Sequence, residues 1–161
     1  MSDAVATPAP PAAERWHVIA AVFAGGALGT LLRAALLTWF PHDAGAWPVS
    51  TLVANLIGAS VIGWVSIWLP RSPDLDPRLH PFVATGICGG LTTFATLQVE
   101  LVLLVDDGAY GVAAGYLAVS LVGGLAAVVA GRAAAARVVP KVDGAGATGR
   151  SGTAGGPEVD V

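Results

Sequence analysis

TGICGGLTTFATLQVE, residues Thr85 to Glu100, places adjacent glycines and four threonines in the middle of an apolar run and closes on one acid. The whole run, Phe82 to Val105, has the length a membrane crossing needs. A helix rising 1.5 Å per residue takes roughly 20 apolar residues to traverse about 30 Å of hydrocarbon. Paired glycines weaken a helix by about 1 kcal/mol each relative to alanine, so Gly89-Gly90 predicts a span that is broken at mid-depth. Irregular backbone there survives only where it is buried in protein or lines a cavity, and its freed carbonyls can then hold a cation. A continuous helix packed through its glycines and threonines is the competing reading of the same residues.

Working outward, three more segments qualify as spans: Trp16 to Trp39, Ser50 to Leu69 and Tyr110 to Gly131. Without water to satisfy the backbone, helix is the only sensible state for each, which predicts an all-α membrane protein of four transmembrane helices. The separators agree. PHDAGAWP at 41–48, the stretch from Pro70 to Pro81, and Asp106-Asp107-Gly108 combine turn chemistry with charge. Composition points the same way, with 55% of the 161 residues hydrophobic and 12% charged, against about 25% charged in ordinary soluble domains. A formal net charge of -3 suggests no nucleic-acid-binding face. Residues 1–15 and 132–161 are expected to be disordered tails around a membrane domain at 16–131, and Trp16 to Phe40 is too long for a usual signal segment. Trp16, Trp39, Trp47 and Trp68 read as interface anchors. Arg15, Arg71, Arg78, Arg132, Arg137, Lys141 and Arg150 fall on the side of the termini and the second loop, leaving only Arg33 near the other face. That bias predicts cytoplasmic termini.

Within the spans, glycines recur as Gly25-Gly26-x-x-Gly29, Gly58, Gly63 and Gly123-Gly124, which is the chemistry of close helix approach in lipid. Asn55 needs a partner at its depth, and its amide can also donate to an anion. Glu100 is the one acid well inside a span; it must be near water, paired with a donor, or protonated. Tyr116 and Ser120 are four apart and share a helical face, extending a ladder of hydroxyls with Thr93, Thr96 and Glu100. The edge of the Phe94 ring carries partial positive charge and can face a small anion, although an isolated phenylalanine in a span usually packs. Arg33 can snorkel to the interface or attract anions. Cys88 reads as a small core residue, and His17, His42 and His80 are too scattered for a metal site, so no function is assigned to them. No arrangement suggests a nucleophile with its base, and an enzyme is not expected.

Three pieces in order, GGALGTLLR at 25–33, STLVANLIGASVIG at 50–63 and TGICGGLTTFATLQVE at 85–100, resemble the CrcB/Fluc fluoride channels. The resemblance spans about Val18 to Gly131. It implies a channel domain at 16–131, a broken third helix, and an antiparallel dimer with two passive fluoride pathways across the cell membrane that lower cytoplasmic fluoride. It implies a pathway through Asn55, Thr93, Phe94, Thr96, Glu100, Tyr116 and Ser120, with Arg33 at the vestibule. It further implies a structural sodium ion, not transported, on the backbone carbonyls of Gly89 and Thr92. The expected partners are fluoride, membrane lipid and a second subunit.

Where the family usually reads TTFSTF, this chain has Ala95 and Leu97, so one hydroxyl and one ring edge are absent. The charge bias also favours a single orientation, whereas a self-paired antiparallel dimer inserts both ways up. Both features motivate a heterodimer with an oppositely oriented homologue as the alternative to a homodimer, and a non-conducting structural partner subunit as the alternative function. A small proton-coupled exporter is the remaining reading. It calls for an acid in the first span, and Trp16 to Trp39 contains none.

Overall fold

The structure, a computed structural model, describes residues 12–43, 45–72 and 74–138. It is all-helical over these residues, and four of its helical stretches are long and apolar enough to cross a membrane: Glu14–Trp39, Val49–Arg71, Pro81–Asp106 and Tyr110–Val138. The first is helix α1 (Ala12–Trp39) and the second is α2 (Val49–Trp68) with a 3-10 turn at Leu69–Arg71. The third comprises a π-helical segment (Pro81–Ile87), a short α3 (Cys88–Leu91) and α4 (Phe94–Asp106); the fourth is α5 (Tyr110–Val138). Helix α1 begins before Trp16, and α5 runs on past Gly131, so both exceed the boundaries read from the sequence. The parts of the expected tails before residue 12 and after residue 138 lie outside the described residues.

The bundle is held by backbone lying against backbone. A methyl group on Gly25 would overlap the carbonyl oxygen of Phe82, and one on Gly29 that of Ile87. From the other side, Gly86 abuts Gly25, and Gly90 abuts the Gly26 carbonyl. Helix α1 therefore packs into the first half of the third span at a separation only glycine permits. Helices α2 and α5 repeat the device, with Gly63 against the Val128 carbonyl and Gly131 against that of Ser60. In lipid, apolar side chains gain nothing by leaving water, so close van der Waals contact through small residues carries the association.

A side-chain core lies at the opposite end of the bundle from the termini. Leu97 and Leu104 of α4 close on Ala113 and Tyr116 of α5, with Leu52 of α2 packed alongside. Trp47, read as an interface anchor and 38% exposed, also makes a contact within the chain: its ring stands edge-on to Tyr116, centroids 6.3 Å apart at 88°. This draws it inward, while Trp16 and Trp39 stay 69% and 73% exposed. An even number of spans returns the chain to its starting side, so the 41–48 loop and the Asp107–Ala109 turn share the face opposite the termini.

Candidate functional site

The centre of the site is the junction between α3 and α4. Thr92 (φ -80°, ψ 151°) and Thr93 (φ -151°, ψ 119°) are extended. The neighbouring Gly90 is helical and spends its missing side chain on contact with α1. Asn55 of α2 pairs with Thr93 twice: its Nδ2 donates to the Thr93 carbonyl at 3.3 Å, and its Oδ1 accepts from the Thr93 N–H at 2.9 Å. One Nδ2 hydrogen remains after both bonds are made. Gly58, three residues on, leaves space that the Thr92 methyl occupies, which explains why Asn and Gly stand at this spacing on α2.

Thr93 also caps α4. Its Oγ1 accepts from the Thr96 N–H at 3.1 Å and lies 3.0 Å from Thr96 Oγ1, the ordinary work of an N-cap threonine. These bonds redirect two donors. In an uninterrupted α-helix the N–H of Thr93 would serve the carbonyl of Gly89, and that of Thr96 the carbonyl of Thr92. Here they go to Asn55 and to Thr93 Oγ1. Gly89 is exposed, and nothing lies within 4 Å of a side chain added there.

Beyond the Thr93–Thr96 pair, two groups of hydroxyls stand out in the spans. Thr38, Ser60, Ser66 and Thr92 donate back to carbonyls of their own helix, which satisfies them locally. Ser50, Thr51, Tyr116 and Ser120 are different: their oxygens are buried and meet no backbone or side-chain partner in good hydrogen-bond geometry among the described residues, the Tyr116 and Ser120 hydroxyls lying near enough to interact only with each other. An unpaired buried polar atom costs about 1–3 kcal/mol, a cost that a water, an ion or a group from a second subunit would relieve at these four positions. Tyr116 and Ser120 share a face of α5, as their spacing predicts, and Tyr116 is fully buried. Sequence reasoning passed over Ser50 and Thr51. The signal was present, because Thr51 lies one helical turn before Asn55 on the same face.

The remaining candidates separate. Phe94 is 70% exposed and points away from its own chain, whereas Leu97 is buried in the side-chain core. Arg33 is half-buried on α1, and the side chain that reaches Glu100 comes from elsewhere. His42 Nε2 lies 3.0 Å from Glu100 Oε2. No function is assigned to His42 from sequence, and no local signal could have supplied one, since the two residues are joined only when the loop between α1 and α2 folds over α4.

The comparisons with known proteins bear on this arrangement. Residues 20–132 match the family model described as CrcB-like protein, Camphor Resistance (CrcB). The fluoride-specific ion channel FluC 1 of Mycobacterium bovis is 44% identical over 113 residues, covering 70% of this chain and 86% of that protein. The fluoride-specific ion channel FluC of Proteus mirabilis is 42% identical over 111 residues, 66% of this chain and 86% of its own. That of Escherichia coli O139:H28 is 41% identical over 110 residues, 68% of this chain and 87% of its own.

Proposed function

The chain belongs to the CrcB family, and we propose that it is the subunit of a fluoride-selective channel through which the ion leaves the cell passively across the cell membrane. The observation that carries this reading is the set of buried hydroxyls that neither helix backbone nor other side chains fully satisfy, Ser50, Thr51, Tyr116 and Ser120. A dehydrated fluoride needs donors at every step. A file of single, weak donors lets it enter one site and leave for the next. The free Nδ2 hydrogen of Asn55 and the Thr93–Thr96 hydroxyl pair continue that file toward mid-membrane, and Glu100 lies on the side away from the termini. Arg33, near the same end of α1, serves the vestibule.

The third span acts as a broken helix in this account. A structural sodium ion fits its backbone, because the carbonyls of Gly89 and Thr92 are those whose helical donors are engaged by Asn55 and Thr93, and a cation supplies what they lack. The exposed ring of Phe94 and the open Gly89 suit a dimer whose second, antiparallel subunit covers this face and completes two pathways. The distribution of basic residues favours cytoplasmic termini and, with Leu97 and Ala95 in place of a ring and a hydroxyl, a heterodimer over a homodimer.

Growth on fluoride tests the proposal in cells. A bacterium deprived of its own fluoride exporter should regain fluoride tolerance when it makes this chain, together with a family partner if pairing is obligatory. The Asn55→Ala variant at equal membrane abundance should fail to restore it. Tolerance that is never restored, or that Asn55→Ala restores fully, contradicts the reading.

A further inference from the structure

Glu100 presents the proposed pathway with an electrostatic difficulty, since an ionised carboxylate in the path repels the anion that must pass. The charge is not alone. Its side chain is 13% exposed and meets His42, 24% exposed, at 3.0 Å. The pair lines a cavity of about 300 Å3 together with Asp43, Gly45, Ala46, Leu103, and Asp107. His42 is the one basic group in that lining, facing three carboxylates. The titratable groups around the pair are Asp43 on the same loop, Asp107 at the end of α4, and Tyr116 on α5; α2 contributes none.

We propose that His42 is a positioning residue of the conduction path: as an imidazolium it neutralises Glu100, so the carboxylate keeps its place at the mouth without excluding fluoride. The proposal rests on the fluoride-channel reading. Histidine is suited to the task because it changes charge within the physiological pH range. The neutral ring can still donate Nε2–H to Glu100, so losing the proton removes charge compensation and leaves the loop where it is. The mouth then holds one more uncompensated negative charge, close to the route and partly shielded from solvent, where a unit charge counts for more than in water. Flux should accordingly rise as His42 gains its proton.

Fluoride efflux from liposomes between about pH 6 and about pH 8, corrected by empty liposomes at each pH, provides the test. The wild-type channel should pass roughly threefold to tenfold more fluoride at the acid end. His42→Gln retains a donor to Glu100 but has no charge to gain, and its flux should stay at the low level across the range. Glu100→Gln removes the charge that needs compensation, so whatever flux it retains should not vary with pH. The double variant should behave like Glu100→Gln, which a merely structural role for His42 does not produce. A wild-type channel that conducts with a flat pH profile, matched by His42→Gln, overturns this inference alone. A protein that conducts no fluoride at any pH overturns the channel reading with it.

Discussion

The two halves of the third span are made on different principles. From Pro81 to Leu91 the chain is pressed against α1, glycine to backbone, at Gly25, Gly29, Gly86 and Gly90. From Phe94 to Asp106 only Leu97 and Leu104 are buried, while Phe94, Val99, Val102 and Leu103 are each more than half exposed. The first half is fixed by shape wherever it meets α1. The second is held at a few points: Asn55 at its start, His42 at its midpoint through Glu100, and the Tyr116 core on either side through Leu97 and Leu104. The proposed pathway runs along that sparsely held half, where hydroxyls and an amide hydrogen remain free to bind.

Crowding the fixed half should do the most damage. Gly29→Val places a branched side chain where the Ile87 carbonyl lies, and little monodisperse protein should survive detergent extraction. Gly89→Ala, with open space around it, should extract and melt like the wild type. Equal behaviour of the two would remove the claim that contact with α1 is what fixes this half. Asn55→Ala comes next, because it strands both the N–H and the carbonyl of Thr93; about 2–4 kcal/mol should be lost, read as a lower melting temperature in detergent. Thr93→Ala removes only the cap of α4 and should cost about 1 kcal/mol, most of which Thr93→Ser should recover. The smallest effect is expected at Val102, 59% exposed on its own chain. Val102→Ala should change the stability of a dispersed single subunit by less than about 0.5 kcal/mol, and a larger loss confined to the assembled state would sharpen the comparison by locating a partner on this face.

Much of this architecture can be read from the chain because membrane spans are specified locally. Each is a sufficient length of apolar residues closed by Pro41, Pro70 or Asp106-Asp107-Gly108, and lipid leaves the backbone no state but helix. The shared face of Tyr116 and Ser120 follows from helical periodicity alone. The glycines announce close contact but not with what: that Gly25 meets Phe82 and Gly63 meets Val128 depends on which helices become neighbours. Leu97 illustrates the same limit. Its place in the motif does not say what it packs on, and the turn of α4 carries it into the core beside Tyr116. Trp47 and His42 sit in a loop whose composition reads as interface and turn, and their contacts with Tyr116 and Glu100 exist only after the loop closes over the bundle end.

The most direct test of the account is fluoride efflux from liposomes containing the purified protein, with chloride as the control ion and Asn55→Ala as the inactive variant. The account predicts rapid fluoride efflux with chloride retained, by the protein alone or with an oppositely oriented family member added, and loss of that efflux in the variant. Fluoride retained under both conditions, or chloride released as fast as fluoride, would contradict it.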